Sequence, residues 1–79
     1  MIEYKIQQRH DERNGGEWVD SRETKYSKRA KTYYSYDKVL EGLEKVKALW
    51  EEYEKRDTDI PAYNEFRIVW REVSSWKEV

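Results

Sequence analysis

A chain of 79 residues leaves room for one domain only, and at this length folding buries only about 60–65% of the surface the unfolded chain exposes. With no cysteine, neither disulfides nor thiolate metal sites reinforce so small a core. The 16 lysines and arginines stand against 17 aspartates and glutamates, a balance that excludes both a nucleic-acid binder driven by overall charge and an acidic DNA mimic.

The first stretch, "IEYKIQQR", alternates Ile2, Tyr4 and Ile6 with Glu3, Lys5 and Gln7. That period of two predicts a half-buried strand over residues 2–9. "HDERNGGE" follows, carrying Asn14, Gly15 and Gly16, and glycine accepts positive φ cheaply, so the chain reverses here. "EWVDS" then reads as a short strand over 17–21 with Trp18 or Val19 facing the core, making residues 2–21 a β-hairpin. Residues 22–35 show neither the helical nor the strand period and read as a basic loop, with extended structure around Tyr33 and Tyr34.

The helix is the clearest element. Tyr36, Val39, Leu40, Leu43, Val46, Leu49, Trp50 and Tyr53 recur at spacings of three and four, one apolar stripe on a helix over 36–55. Ser35 reads as its N-cap and Asp37 suits the positive end. Glu41 with Lys45 and Glu51 with Lys55 are i,i+4 pairs in the favourable order. Gly42 costs about 1 kcal/mol relative to alanine inside a helix and reads as a point of close approach. Lys55 and Arg56 suit the helix C-terminus, and "DTDIPAYN" with Pro61 ends it.

From Glu65 the period returns to two, predicting a strand over 65–73. Phe66, Ile68 and Trp70 share one face, and Arg67, Val69, Arg71 and Val73 the other. Ser74–Ser75 read as a turn and 76–79 as a last short strand. The expected fold is therefore a single α+β domain over 1–79, a small antiparallel sheet in ββαββ order against one long amphipathic helix. Its second sheet face has no helix left to cover it. Four Trp, seven Tyr and one Phe exceed what such a core uses, so Trp50 and Trp70 are expected inside and other rings exposed or shared with a partner.

Catalytic signatures are absent from the sequence: no GxSxG, Walker-type glycine loop or HExxH occurs. His10, the single histidine, stands in "RHDER" and reads as a solvated turn residue rather than a metal ligand. Glu41, Glu44, Glu51, Glu52 and Glu54 sit among lysines, a solvated helix face. The chain reads as non-enzymatic, with no catalytic residue, no metal site and no cofactor.

Two surfaces carry the binding candidates. Arg22, Lys25, Lys28, Arg29 and Lys31 are interleaved with Tyr26, Tyr33, Tyr34 and Tyr36. Cationic side chains suit phosphates or an acidic protein surface, and aromatic faces suit stacked bases. The alternative is a loop whose tyrosines fold down onto the core. On the uncovered sheet face, Arg67, Val69 and Arg71 stand beside Lys5 and Gln7, with Trp18 or Trp76 joining them, a composition typical of interface centres.

Taken together, "YKIQQR", the W-V-D strand, the single amphipathic helix and the terminal "FRIVWREVSSWKEV" resemble small accessory proteins of bacteriophages and prophages. The resemblance implies a protein that binds a host or phage macromolecule and blocks or redirects it, as anti-CRISPR and other anti-defence proteins do. No functional residue is carried over by it. The expected partner is thus a protein complex, with Arg67, Arg71, Trp76 and loop 22–36 in contact. Nucleic-acid or nucleotide binding through loop 22–36 is the first alternative, and a homodimer through the uncovered sheet face the second. "MIEYKIQQRH" has no apolar run of signal-peptide length, nor does any membrane-spanning stretch occur, so the expected location is the cytoplasm of a bacterial host.

Overall fold

The computed structural model describes residues 1–22, 31–56 and 59–72. The predicted alternation forms β1 (Ile2–Arg9), the central strand of a three-stranded sheet in the order β2-β1-β3. Both neighbours, β2 (Val19–Asp20) and β3 (Glu65–Glu72), run antiparallel to it. The stripe of apolar residues forms α1 (Tyr36–Glu54), which lies on one sheet face against β1 and β3. The architecture is α+β. Its described elements run β-β-α-β, so the ββαββ order is not matched, and the strand expected over 76–79 lies outside the described residues. Among the described residues no helix is long and apolar enough to cross a membrane.

The hairpin reversal occurs where the glycines predict it. Asn14, Gly15 and Gly16 form a single tight turn with φ of 50°, 66° and 81°, the left-handed region in which only glycine and, less freely, asparagine sit without strain. His10 belongs to this loop: its Nδ1 accepts the Glu12 N–H at 3.0 Å, and its carbonyl accepts from Arg13. Arg13 then lies over the Tyr63 ring at 4.1 Å and donates to the Pro61 carbonyl at 3.0 Å. Tyr63 is buried and meets Trp50 edge-on at 5.0 Å. This aromatic cluster, which Tyr53 extends, ties the hairpin loop and the segment before β3 to the end of α1.

Ile6, Tyr33, Val39 and Val46 make the core, with Tyr4, Leu43, Trp50, Phe66 and Ile68 packed around it. Gln8 is buried on the same face, and its Oε1 accepts the Trp50 indole N–H at 3.0 Å, so both polar groups are satisfied inside. Ser35 stands at the N-cap position but makes no side-chain capping bond; its carbonyl accepts from Val39.

The second edge of β1 is completed in two pieces. Ser21 donates to the Ile6 carbonyl at 2.8 Å, and the next place along is taken by Tyr33, which exchanges both backbone bonds with Tyr4 at 2.7 and 2.8 Å. The extended structure expected near Tyr33 is therefore a bridge to β1. Its ring lies on α1 at Gly42, where an added Cβ would overlap the hydroxyl and stand 2.6 Å from Cζ. Gly42 is the close approach its position suggested, and Tyr33 is what approaches.

One core assignment is corrected. Trp70 lies on the helix face of the sheet, opposite Tyr4, yet it is 67% exposed. Tyr4 is capped by Tyr36 at 5.7 Å and flanked by Tyr33, so the start of α1 sits over β1 and the Tyr33 side. Trp70, on the far edge strand, is left outside.

Candidate functional site

The face of the sheet opposite α1 carries the odd-numbered residues of β1 and β3, together with Asp20 and Trp18 from the β2 side. Register brings opposite charges together across it. Arg71 donates to Glu3 at 2.8 Å, and Arg9 forks onto both Glu65 carboxylate oxygens at 2.9 and 3.3 Å. Lys5 and Gln7 both donate to Asp20, at 3.1 and 3.0 Å. Arg67 in turn donates twice to the Gln7 side-chain oxygen, at 2.8 and 2.6 Å.

Trp18 gathers two arginines at the Arg9 end of this face. Arg67 lies over its ring at 4.3 Å and Arg9 at 4.6 Å, so one indole is held by guanidinium groups from two other strands. The electrostatics follow the contacts. The Asp20 carboxyl is held below its usual range, first by the Gln7 hydrogen bond and then by Lys5. Glu65 is likewise lowered by its bond from Arg9, and the Arg9 guanidinium is raised by the same bond. Next to this ladder, Glu3, Lys5, Asp20, Val69, Trp70 and Arg71 line a shallow groove of about 220 Å³.

A second feature lies on the flank of α1 beside Tyr33. Lys31, Lys38 and Lys45 converge on a cleft of about 310 Å³ whose floor is Gly42 and Tyr33. Lys38 also pairs with Glu41 at 3.7 Å. Among the described residues, no three His, Cys, Asp or Glu side chains gather as a metal site would require.

The structure thus divides the predicted site residues. Arg67 and Arg71 stand on the open sheet face as expected, each already engaged by a neighbour. Trp18, the first of the two tryptophans considered for that face, joins them. Lys31 is exposed beside the cleft, Tyr34 is 62% exposed, and Arg22 is exposed at the end of the β2 segment. Tyr33 is corrected: at 7% exposure it is core, a loop tyrosine folded down onto the helix and not a stacking platform. Lys25, Tyr26, Lys28, Arg29 and Trp76 lie outside the described residues. Arg9 and Arg13 were missed: Arg9 meets Trp18 only through the cross-strand register of the hairpin, and Arg13 meets Tyr63 from a segment distant in sequence.

Comparison of the chain with protein-family models, curated proteins and solved structures finds no match in any of the three.

Proposed function

We propose that this protein is a non-enzymatic binding protein of the phage accessory kind. It lays its open sheet face on a macromolecular complex in the cytoplasm of a bacterial host and inhibits or redirects that complex by occlusion. The observation that supports this reading is Trp18, with the Arg9 and Arg67 guanidinium groups both over its ring, on a face that the single described helix leaves uncovered. Tryptophan and arginine dominate binding hot spots. Here both are fixed before any partner arrives, Arg67 by Gln7 and Arg71 by Glu3, so little side-chain freedom remains to be lost on association. Exposed ion pairs add only about 0–1 kcal/mol each to stability, which makes folding alone a weak reason for such a ladder.

The test passes host lysates over the immobilised chain beside Trp18→Ala and Arg67→Ala variants that retain their circular dichroism. The expected result is a discrete complex held by the wild type and lost by both variants. Absence of any complex from several hosts, or capture that both variants leave intact, contradicts the proposal.

A second reading, a nucleic-acid or nucleotide-binding module, draws support from the cleft lined by Lys31, Lys38 and Lys45, which continues the basic character of residues 22–31 and adjoins the exposed Tyr34. Binding of a single-stranded oligonucleotide would then weaken steeply with salt and fall in Lys38→Ala and Lys45→Ala. Affinity that is absent or salt-independent removes this reading.

A further inference from the structure

β3 is an edge strand, and among the described residues nothing pairs with its outer side. Backbone phase decides which of its groups point there. On β1, Tyr4 and Ile6 direct their bonding groups to the β2 side, to Tyr33 and Ser21. The odd residues of β1 therefore bond to β3, and their partners Glu65, Arg67, Val69 and Arg71 are turned inward. Phe66, Ile68 and Trp70 are left with N–H and C=O groups aimed outward from the edge. A long edge with unpaired backbone groups and an exposed tryptophan is a template for another strand.

We infer that the occupant is β3 of a second copy of this chain, paired antiparallel about a two-fold axis through Ile68. A two-fold axis perpendicular to the sheet places residues of the same face opposite each other, and the sequence "EFRIVWRE" complements itself in that register. On the helix face Phe66 meets Trp70 of the second copy, and Ile68 meets Ile68. These are the residues whose backbone groups point outward, so each pair exchanges both of its hydrogen bonds. On the open face Arg67 meets Val69, and Glu65 meets Arg71. Glu65 is already bonded to Arg9 and Arg71 to Glu3. The row Arg9, Glu65, Arg71, Glu3 thus runs across the joined sheets with charges alternating at every strand.

Neighbouring registers lack this fit. Moving the axis to Val69 sets Arg67 against Arg71 on both sides, and moving it to Arg67 sets that arginine against itself; like charges directly opposite are unfavourable. Trp70 receives more than a strand partner. Tyr36 and Leu40 are both exposed and lie on the flank of α1 turned away from Gly42 and Tyr33, hence toward β3. The apolar surface around Trp70 is closed by the partner's Phe66. The result is one continuous sheet with both helices on one side and both Trp18 faces on the other. This inference does not depend on the partner proposed above.

The test is the mass of the full chain by light scattering over a concentration series, with Trp70→Pro, Trp70→Lys, Val69→Lys and Val69→Glu beside the wild type. Twice 9.8 kDa is expected for the wild type. Trp70→Pro removes an N–H that no described residue of the single chain uses and should give a folded monomer, as should Trp70→Lys if proline disturbs the strand. The register is read at Val69, which faces Arg67 of the second copy twice. Lysine there should weaken the dimer about tenfold and glutamate should tighten it. A mass of 9.8 kDa at every concentration overturns the inference and leaves the edge to another occupant. A dimer that Trp70→Lys leaves intact, or that Val69→Glu weakens as Val69→Lys does, also overturns it.

Discussion

Replacing Gly42 with alanine tests the packing of the fold where two opposing terms can be compared. In an ordinary helix interior the change stabilises by about 1 kcal/mol, because glycine has the greater freedom to lose. At position 42 the added Cβ would overlap the Tyr33 hydroxyl and lie 2.6 Å from Cζ and 2.9 Å from Cε1, against an optimal carbon–carbon separation of about 3.5–4.0 Å. The ring has little room to retreat, since the Tyr33 backbone is bonded in both directions to Tyr4. Overpacking of this kind costs about 1–3 kcal/mol. Expelling the ring would cost more: about 150–250 Å² of burial at roughly 25 cal/mol per Å² is about 4–6 kcal/mol. The cheaper route decides, and once the helix-propensity gain is set against it the net expectation is destabilisation of up to about 2 kcal/mol. Urea unfolding followed by circular dichroism measures it. In a Tyr33→Leu background, where the shorter side chain clears the site, Gly42→Ala should regain its stabilising sign, so the two changes couple by about 1–3 kcal/mol. Stabilisation of the wild type by Gly42→Ala, or an equal effect in both backgrounds, would refute the placement of Tyr33 on the helix.

The buried pair of Gln8 and Trp50 gives a second expectation. Gln8→Leu strands the indole N–H and should cost about 1–3 kcal/mol, whereas adding Trp50→Phe to it should cost much less than the two single changes summed; additive losses in urea midpoint would show that the bond contributes nothing. The acid limb of stability follows from Asp20 and Glu65, whose carboxyls are both held below their ordinary values by hydrogen bonds formed on folding. A carboxyl lowered in the folded state contributes stability above its unfolded pKa and loses it as pH falls through the folded one. Stability should therefore fall below about pH 4, and Asp20→Asn and Glu65→Gln should each flatten that fall when urea midpoints are compared across the carboxylate range. Arg13→Ala removes the guanidinium from the Tyr63 ring and should lower the urea midpoint, while Arg13→Lys recovers only part of the loss because an ammonium does not stack as a planar group does; full recovery would reduce the contact to charge alone.

Local periodicity made the backbone of this fold readable. The alternation of "IEYKIQQR" and the three-and-four spacing from Tyr36 to Tyr53 placed β1 and α1 to within about a residue of their observed ends. The paired glycines marked the turn for the same reason, that a particular φ requires a particular residue. Gly42 announced a close approach but not its partner, since Tyr33 arrives from a segment with no period. Alternation gave Trp70 the correct face and the wrong burial, because facing the helix side of a sheet does not place a residue under the helix. The charge ladder and the contacts of Arg9 and Arg67 with Trp18 join the hairpin to β3, more than forty residues further along the chain. They become visible only when the register of Glu3 with Arg71 and Gln7 with Arg67 is known. Arg13 on Tyr63 and Gln8 on Trp50 depend in the same way on contacts between distant segments.

The central claim is that the open sheet face binds a partner through Trp18 and its arginines, and the affinity of the captured complex for Trp18→Ala tests it most directly. An indole at the centre of an interface is worth about 2 kcal/mol or more on truncation, so calorimetry should show a loss of about thirtyfold for the folded variant, with Glu52→Ala on the exposed face of α1 unchanged. Equal affinities for the wild type and Trp18→Ala would contradict the account.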